Sequence, residues 1–247
     1  MPDVCLVVPC FNEAARLDAE AFAGAVSAQP RLALCFVDDG SRDDTMRVLQ
    51  ALASRAPDRI TVMGLATNSG KAEAVRRGML HAATDKQHQF VGYWDADLSA
   101  PLSELPHFFE TFERHPDCLA AIGSRMKRLG ADIDRRALRH ALGRVFATLA
   151  SLTLDLPVYD SQCGAKLFRA STVEWLCAEP FLSRWCFDVE ILARIIARLG
   201  HQPALQSIVE VPLSSWHEVG GSKLGASHMA MMGVDLWRIR RHYPGRP

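Results

Sequence analysis

The chain has 247 residues, 49% of them hydrophobic and 23% charged, and its 28 basic and 28 acidic side chains cancel to a formal net charge of zero. That length suits one large α/β domain with a full buried core, and the composition is that of an ordinary globular protein. Nothing in the charge balance points to nucleic acid, and no such partner is expected.

The first half alternates short apolar runs with helical patterns. A strand is expected over 4–8, stopped by Pro9, and then a helix from about 13 to 28. A second strand over 34–37 ends at Asp38-Asp39-Gly40-Ser41, where Asp43 or Asp44 can cap a helix reaching about 54. A third strand spans 60–63. A helix runs from Gly70-Lys71 to about 83, and a fourth strand over 90–94 ends at Asp95. A helix over about 103–114 leads to a strand over 119–123.

The second half is less regular. Residues 125–134 are expected as a loop, and 135–152 as a helix with Leu138, Leu142, Val145, Leu149 and Leu152 on one face. Extended structure is expected over 158–168, a helix over 187–199, a strand over 205–212 and a last helix over about 226–242. The pattern predicts a mainly parallel sheet flanked by helices, in one domain with a nucleotide-binding half (about 1–124) and an acceptor half (about 125–247). In such sheets ligands bind beyond the carboxyl ends of the strands. Polar clusters at 9–13, 38–41 and 95–99 occupy three such ends, so they are expected to form one site.

Asp95-Ala96-Asp97 is the sharpest chemical feature. Two carboxylates two residues apart, just past a strand end, can approach one hard cation, and Mg2+ or Mn2+ would bridge them to phosphate oxygens. The alternative is a solvated turn. A carboxylate of Asp38-Asp39 at this strand end can accept from a base N–H or ribose hydroxyls, and the alternative is a strand-to-helix turn with capping residues only; one of the two can be structural in either case. Asn68-Ser69-Gly70-Lys71 precedes a helix, where Lys71 can meet a phosphate; the spacing is not that of a Walker A loop, which disfavours a nucleoside triphosphatase.

There are seven cysteines (Cys5, Cys10, Cys35, Cys118, Cys163, Cys177 and Cys186), with no C-x-x-C pair, and they are expected as reduced, buried thiols of a cytoplasmic protein. The N-terminus lacks a basic region followed by an apolar run, which speaks against a signal peptide. The apolar stretch 145–154 is well short of the ~20 residues that span a bilayer.

In this order, the motifs resemble the family-two glycosyltransferases, whose fold is GT-A, a Rossmann-like α/β sheet. Three later segments narrow the match to the dolichyl-phosphate β-glucosyltransferase branch: 160–168 (DSQCGAKLF), 184–190 (RWCFDVE) and 216–224 (WHEVGGSKL). The resemblance spans about residues 4–225. It departs at Ala72, where a glycine is usual after Gly-Lys, and in lacking the N-terminal anchor of eukaryotic members.

The resemblance implies that Pro9, Asn12, Glu13 and Asp39 line a nucleotide pocket. It implies that Asp95 and Asp97 hold the sugar nucleotide and the metal, with Asp97 the direct ligand. Arg125 would face an acceptor phosphate, and Gln162, Asp188 and Lys223 would surround the donor sugar and diphosphate. The expected reaction moves a hexose, glucose or mannose, from a nucleoside diphosphate to a polyprenyl-type phosphate with inversion at C1, as in cell-envelope glycan assembly. A phosphate acceptor is already ionised and needs no general base. A hydroxyl acceptor would need one, for which Asp188 is the candidate; Asp188 can otherwise hold sugar hydroxyls or cap its helix. Lys223 would stabilise the leaving diphosphate.

Arg135, Arg136, Arg139 and Arg144 beside the apolar stripe make the 135–152 helix either a membrane-surface contact or a core helix with a basic edge. His217 is expected at the surface or packed rather than on the metal. A nucleotidyltransferase and a non-enzymatic sugar-nucleotide or lipid-phosphate binding module are the competing classes.

Overall fold

In the computed structural model, residues 3–134, 137–219 and 226–243 are described. The chain divides into two compact units: Met1–Leu105 with Gly164–Pro180, and Pro106–Cys163 with Phe181–Pro247.

In the first unit the apolar runs become strands β1 (Val4–Cys10), β2 (Leu32–Asp38), β3 (Ile60–Gly64) and β4 (Phe90–Trp94). They are parallel, with β1 between β2 and β4 and with β3 outside β2. Helices cover them, so β1, β2 and β4 carry almost unbroken apolar sequence and are buried nearly throughout. The covering helices are α1 (Ala19–Ala28), α2 (Thr45–Ala53) and α3 (Lys71–Ala82). Phe22 of α1 meets Phe36 of β2 edge-on, ring centroids 5.1 Å apart, and both are fully buried; each such ring stabilises the fold by roughly 1.5–3 kcal/mol. The last strand, β7 (Ala165–Arg169), runs antiparallel against β4 and leads into α6 (Ala170–Cys177).

The second unit pairs β5 (Ala120–Ser124) in parallel with β8 (Ile208–Pro212), and the short β6 (Asp132–Asp134) with β9 (Ser215–His217). Its helices are α4 (Leu105–Arg114), α5 (Ala137–Leu154), α7 (Phe187–Leu199), α8 (His201–Ser207) and α9 (Ala226–His242). Helices α5, α7 and α9 pack on one another.

Several boundaries differ from the sequence expectation, each for a local reason. Strand β1 continues through Pro9 to Cys10. Its pairing with β4 ends at Val7↔Tyr93, so Pro9 lies where β1 has only β2 beside it and a missing donor costs little. Helix α1 starts at Ala19, because Asp18 caps it by accepting from Ala21 N at 2.9 Å, while Glu13–Leu17 forms only a single turn. The 125–134 loop contains β6. Residues 205–207, expected to begin a strand, instead end α8, which follows Gly200, whose φ of 87° stops α7.

On α5 the apolar stripe has a direction that periodicity leaves open. The stripe that sequence periodicity picks out faces outward: Leu142, Val145, Leu149 and Leu152 are exposed, whereas Phe146, Ala147, Ala150 and Leu154 are buried. All seven cysteines are free thiols and buried. Burial pushes the Cys5 and Cys10 thiols well up and that of Cys186 to about 12, the reverse of what a nucleophile needs. No described helix is long and apolar enough to cross a membrane.

Candidate active site

The carboxyl ends of β1, β2 and β4 come together in the first unit, and side chains stitch their loops to one another. After β1 the chain turns at Asn12, which has a φ of 54°. Asn12 N donates to Ser41 Oγ at 2.9 Å, and its Oδ1 accepts from Arg42 N at 2.9 Å. Glu13 N donates to Thr45 Oγ1 at 2.8 Å, and the Glu13 carboxylate takes Arg16 through two bonds of 3.0 and 2.6 Å. Pro9, Asn12 and Glu13 therefore form one rim with the Asp38–Thr45 turn.

Both aspartates of that turn are engaged. Asp38 Oδ1 accepts from Ser41 N at 3.1 Å and from the Ser41 hydroxyl. Asp39, only 3% exposed, accepts from Ser69 N and from Gly70 N, both at 2.7 Å. It thereby pins the turn that leads into α3 from a distant strand end, a role with no local sequence signal. Gly40 (φ 68°) allows the close approach: a Cβ there would lie 2.8 Å from backbone atoms of Thr67 and Asn68.

Asp95 and Asp97 follow β4 in a turn in which Leu98 N donates to Asp95 O, and Leu98 adopts a φ of 51°. A leucine held there is strained, and such strain collects where geometry serves function. Asp97 Oδ1 accepts from Ser99 N at 3.0 Å. Asp95 Oδ1 lies 2.5 Å from Lys71 Nζ, and Asp95 N donates to Gly164 O at 2.9 Å. The charge on Asp97 reaches Arg16, whose pKa is raised first by its Glu13 hydrogen bond and further by Asp97.

The three polar clusters thus form a continuous set: Asn12 and Glu13 to the β2 turn, Asp39 to the start of α3, and Lys71 to Asp95. No group of three or more His, Cys, Asp or Glu side chains able to cage a metal occurs among the described residues. Two adjacent, partly exposed carboxylates fit an ion that shares its ligands with a substrate's phosphates, as Mg2+ commonly does.

In the second unit Arg125 donates to Asp160 through Nε (2.6 Å) and Nη2 (2.8 Å), and lies over the Trp216 ring at 5.4 Å. Glu210 holds the segment behind them by accepting from Tyr159 N and Asp160 N; burial raises its pKa against those bonds. Gln162 Nε2 donates to Trp185 O at 3.3 Å. Asp188, 5% exposed, sits in the first turn of α7. The helix cap is Cys186, so Asp188 is not itself the cap.

Ser183 and Asp235 were not visible as partners in sequence. Ser183 Oγ donates to Asp235 Oδ2 at 2.5 Å and accepts from Trp185 N and Cys186 N, which fixes the loop before α7. His217 lies 3.1 Å from Asp132. Lys223, Arg135 and Arg136 lie outside the described residues, as does the Arg139 side chain. Arg144 is not part of an outward basic edge: it donates to Tyr159 O and stacks on that ring at 3.7 Å.

Residues 5–175 match glycosyl transferase family 2. Among curated relatives, a dolichyl-phosphate beta-glucosyltransferase of Trichomonas vaginalis is 32% identical over 96% of this chain and 70% of its own. The Saccharomyces cerevisiae dolichyl-phosphate beta-glucosyltransferase is 30% identical, over 96% and 74%. A polyprenol monophosphomannose synthase of Mycolicibacterium smegmatis is 28% identical, over 95% and 86%. Among solved structures, glucosyl-3-phosphoglycerate synthase from Mycobacterium tuberculosis, in complex with Mn2+ and uridine-diphosphate-glucose, superposes with a TM-score of 0.69 at 18% identity. That superposition covers 100% of this chain and 80% of the other, and it fixes the fold as GT-A. With the family pattern covering most of its length, this chain belongs to glycosyl transferase family 2 and is a glycosyltransferase.

Proposed function

We propose that the enzyme transfers a hexose, glucose or mannose, from a nucleoside diphosphate to a polyprenyl-type phosphate, with inversion at C1 and with Mg2+ or Mn2+ held at Asp95 and Asp97. The observation that carries this reading is the linked set of Asn12, Glu13, Asp39, Lys71, Asp95 and Asp97 at three strand ends. It agrees with relatives named for dolichyl and polyprenol phosphates.

When bound, the metal would supply charge neutralisation for the departing diphosphate. The rim of Pro9, Asn12 and Glu13 borders the nucleotide, and Asp39 holds the loop on which Lys71 stands. The acceptor's phosphate oxygen forms the new bond to C1 as the bond from C1 to the diphosphate oxygen breaks, and the nucleoside diphosphate leaves with that electron pair. No proton needs to be removed, so Asp188 serves to hold sugar hydroxyls. We assign Arg125, whose guanidinium is locked by Asp160, to the acceptor phosphate, and Gln162 and Lys223 to the donor.

We assign peripheral membrane contact to the second unit. Helix α5 exposes Leu142, Val145, Leu149 and Leu152, and α9, packed against it, exposes Met231, Val234 and Trp237. Arg238, Arg240 and Arg241 are exposed on the last turns of α9, where they suit an anionic surface. On this reading the enzyme works at the cytoplasmic membrane face.

The test is release of nucleoside diphosphate by purified protein with Mn2+ or Mg2+, a panel of sugar nucleotides, and a short polyprenyl phosphate or its alcohol. Release that requires the phosphate form and is lost in Asp97→Ala supports the reading. Release with the alcohol alone overturns the phosphate acceptor and makes Asp188 the base to test.

A further inference from the structure

We infer that Lys71 competes with the metal for Asp95. It occupies that carboxylate in the donor-free enzyme and yields it when a nucleoside diphosphate arrives, so that metal and nucleotide bind as a coupled pair. The inference rests on Asp95 and Asp97 being the metal carboxylates proposed above.

The pair is built rather than incidental. Lys71 is the first residue of α3, and the two residues before it are pinned through their N–H groups to Asp39 at 2.7 Å each. Gly70 holds a φ of 94°, a conformation that side-chain-bearing residues rarely adopt, and this sets the direction in which the helix starts. At the other end, Asp95 N is bonded to Gly164 O, and the bare Cα of Gly164 leaves the space in which the carboxylate sits. Backbone contacts from three separate segments thus bring Nζ and Oδ1 to 2.5 Å. The side chains are 39% and 35% exposed, so an arriving ion has access to them.

An ammonium at contact distance from Oδ1 stands where a divalent ion would coordinate that oxygen. To bind there the ion must displace the ammonium and must then tolerate a positive charge nearby. A diphosphate bound beside the ion offers the ammonium a new anion, and a flexible four-carbon stem lets the point charge change partner. Free metal is therefore held weakly, and metal with nucleotide is held well. By linkage the metal must tighten the nucleotide by the same factor by which the nucleotide tightens the metal.

The test measures Mn2+ binding by electron paramagnetic resonance, with and without UDP or GDP, in wild type, Lys71→Met and Lys71→Arg. Thermal unfolding serves as the check that each variant is folded. In Lys71→Met the affinity for Mn2+ without nucleotide should rise about two- to fivefold, the worth of a half-exposed ion pair. The factor by which nucleotide tightens Mn2+ should fall correspondingly. Lys71→Arg, which keeps the charge, should bind free Mn2+ as weakly as wild type. Equal free-Mn2+ affinity in Lys71→Met and wild type overturns the competition while leaving the proposed function standing. Wild type that binds no Mn2+ with either nucleotide overturns both.

Discussion

Gly164 offers the most direct perturbation of the candidate site. Its Cα packs against the Asp95 carboxylate so closely that a Cβ built there would lie 2.6 Å from Oδ1 and closer still to Cγ and Oδ2. Ordinary contact begins near 3.4 Å, so in Gly164→Ala the carboxylate must retreat by about 1 Å or more. Retreat by rotation alone removes Oδ1 from Lys71 and alters its distance from whatever Asp97 holds. Retreat by backbone movement strains the Asp95 N to Gly164 O bond. Displacements of this size in a reacting constellation cost about 100-fold in rate, while overpacking costs the fold ~1–3 kcal/mol. We expect a folded protein, modestly destabilised in urea, whose kcat/KM for sugar transfer falls by about two orders of magnitude. The assay is nucleoside diphosphate release alongside circular dichroism of the same preparation. A Gly164→Ala enzyme within threefold of wild-type kcat/KM would refute the argument that this glycine exists to seat Asp95.

Two further outcomes follow from the same geometry. Asp39→Asn leaves only one acceptor oxygen for Ser69 N and Gly70 N and turns an amide N–H2 toward the other, so stability should fall by about 1–3 kcal/mol; an unchanged urea midpoint would mean that Asp39 does not hold the turn before α3. Val145→Glu combined with Trp237→Glu places charge on exposed apolar positions of α5 and α9; co-sedimentation with anionic vesicles should drop severalfold while turnover of a short, water-soluble polyprenyl phosphate is kept, and undiminished sedimentation would reject this face as the membrane contact.

Most of the nucleotide-side architecture was legible because its signals are local. Buried parallel strands are short apolar runs, and their polar ends sit where the chain must turn, so β2, β4, α3 and the Asp95–Asp97 turn fell close to their expected places. Helices α7 and α9 were likewise bounded by their own patterns. What escaped was whatever depends on a distant partner. The clearance at Gly164 exists only because β7 pairs with β4. Asp39 was expected at a nucleotide, and its carboxylate is taken up by the turn before a helix 31 residues on. The Ser183–Asp235 bond joins residues 52 apart. Periodicity found the apolar stripe of α5 but carries no sign of direction, so it could not tell a core face from an exposed one. The strand expected from 205 begins only at Ile208, because a helix that starts after Gly200 runs through Ser207.

The division of the first unit into two stretches of chain bears on how the enzyme is made. Strand β4 is complete at residue 94, yet the strand that pairs with its far edge begins only at Ala165. During synthesis a nascent chain of 100 to 160 residues presents Phe90-Val91-Gly92-Tyr93-Trp94 as an unpaired, wholly apolar edge, the kind of segment that recruits other chains. Asp95 lacks its backbone neighbour until Gly164 leaves the ribosome. Premature termination anywhere in the intervening segment should therefore yield an aggregating fragment rather than a folded first unit.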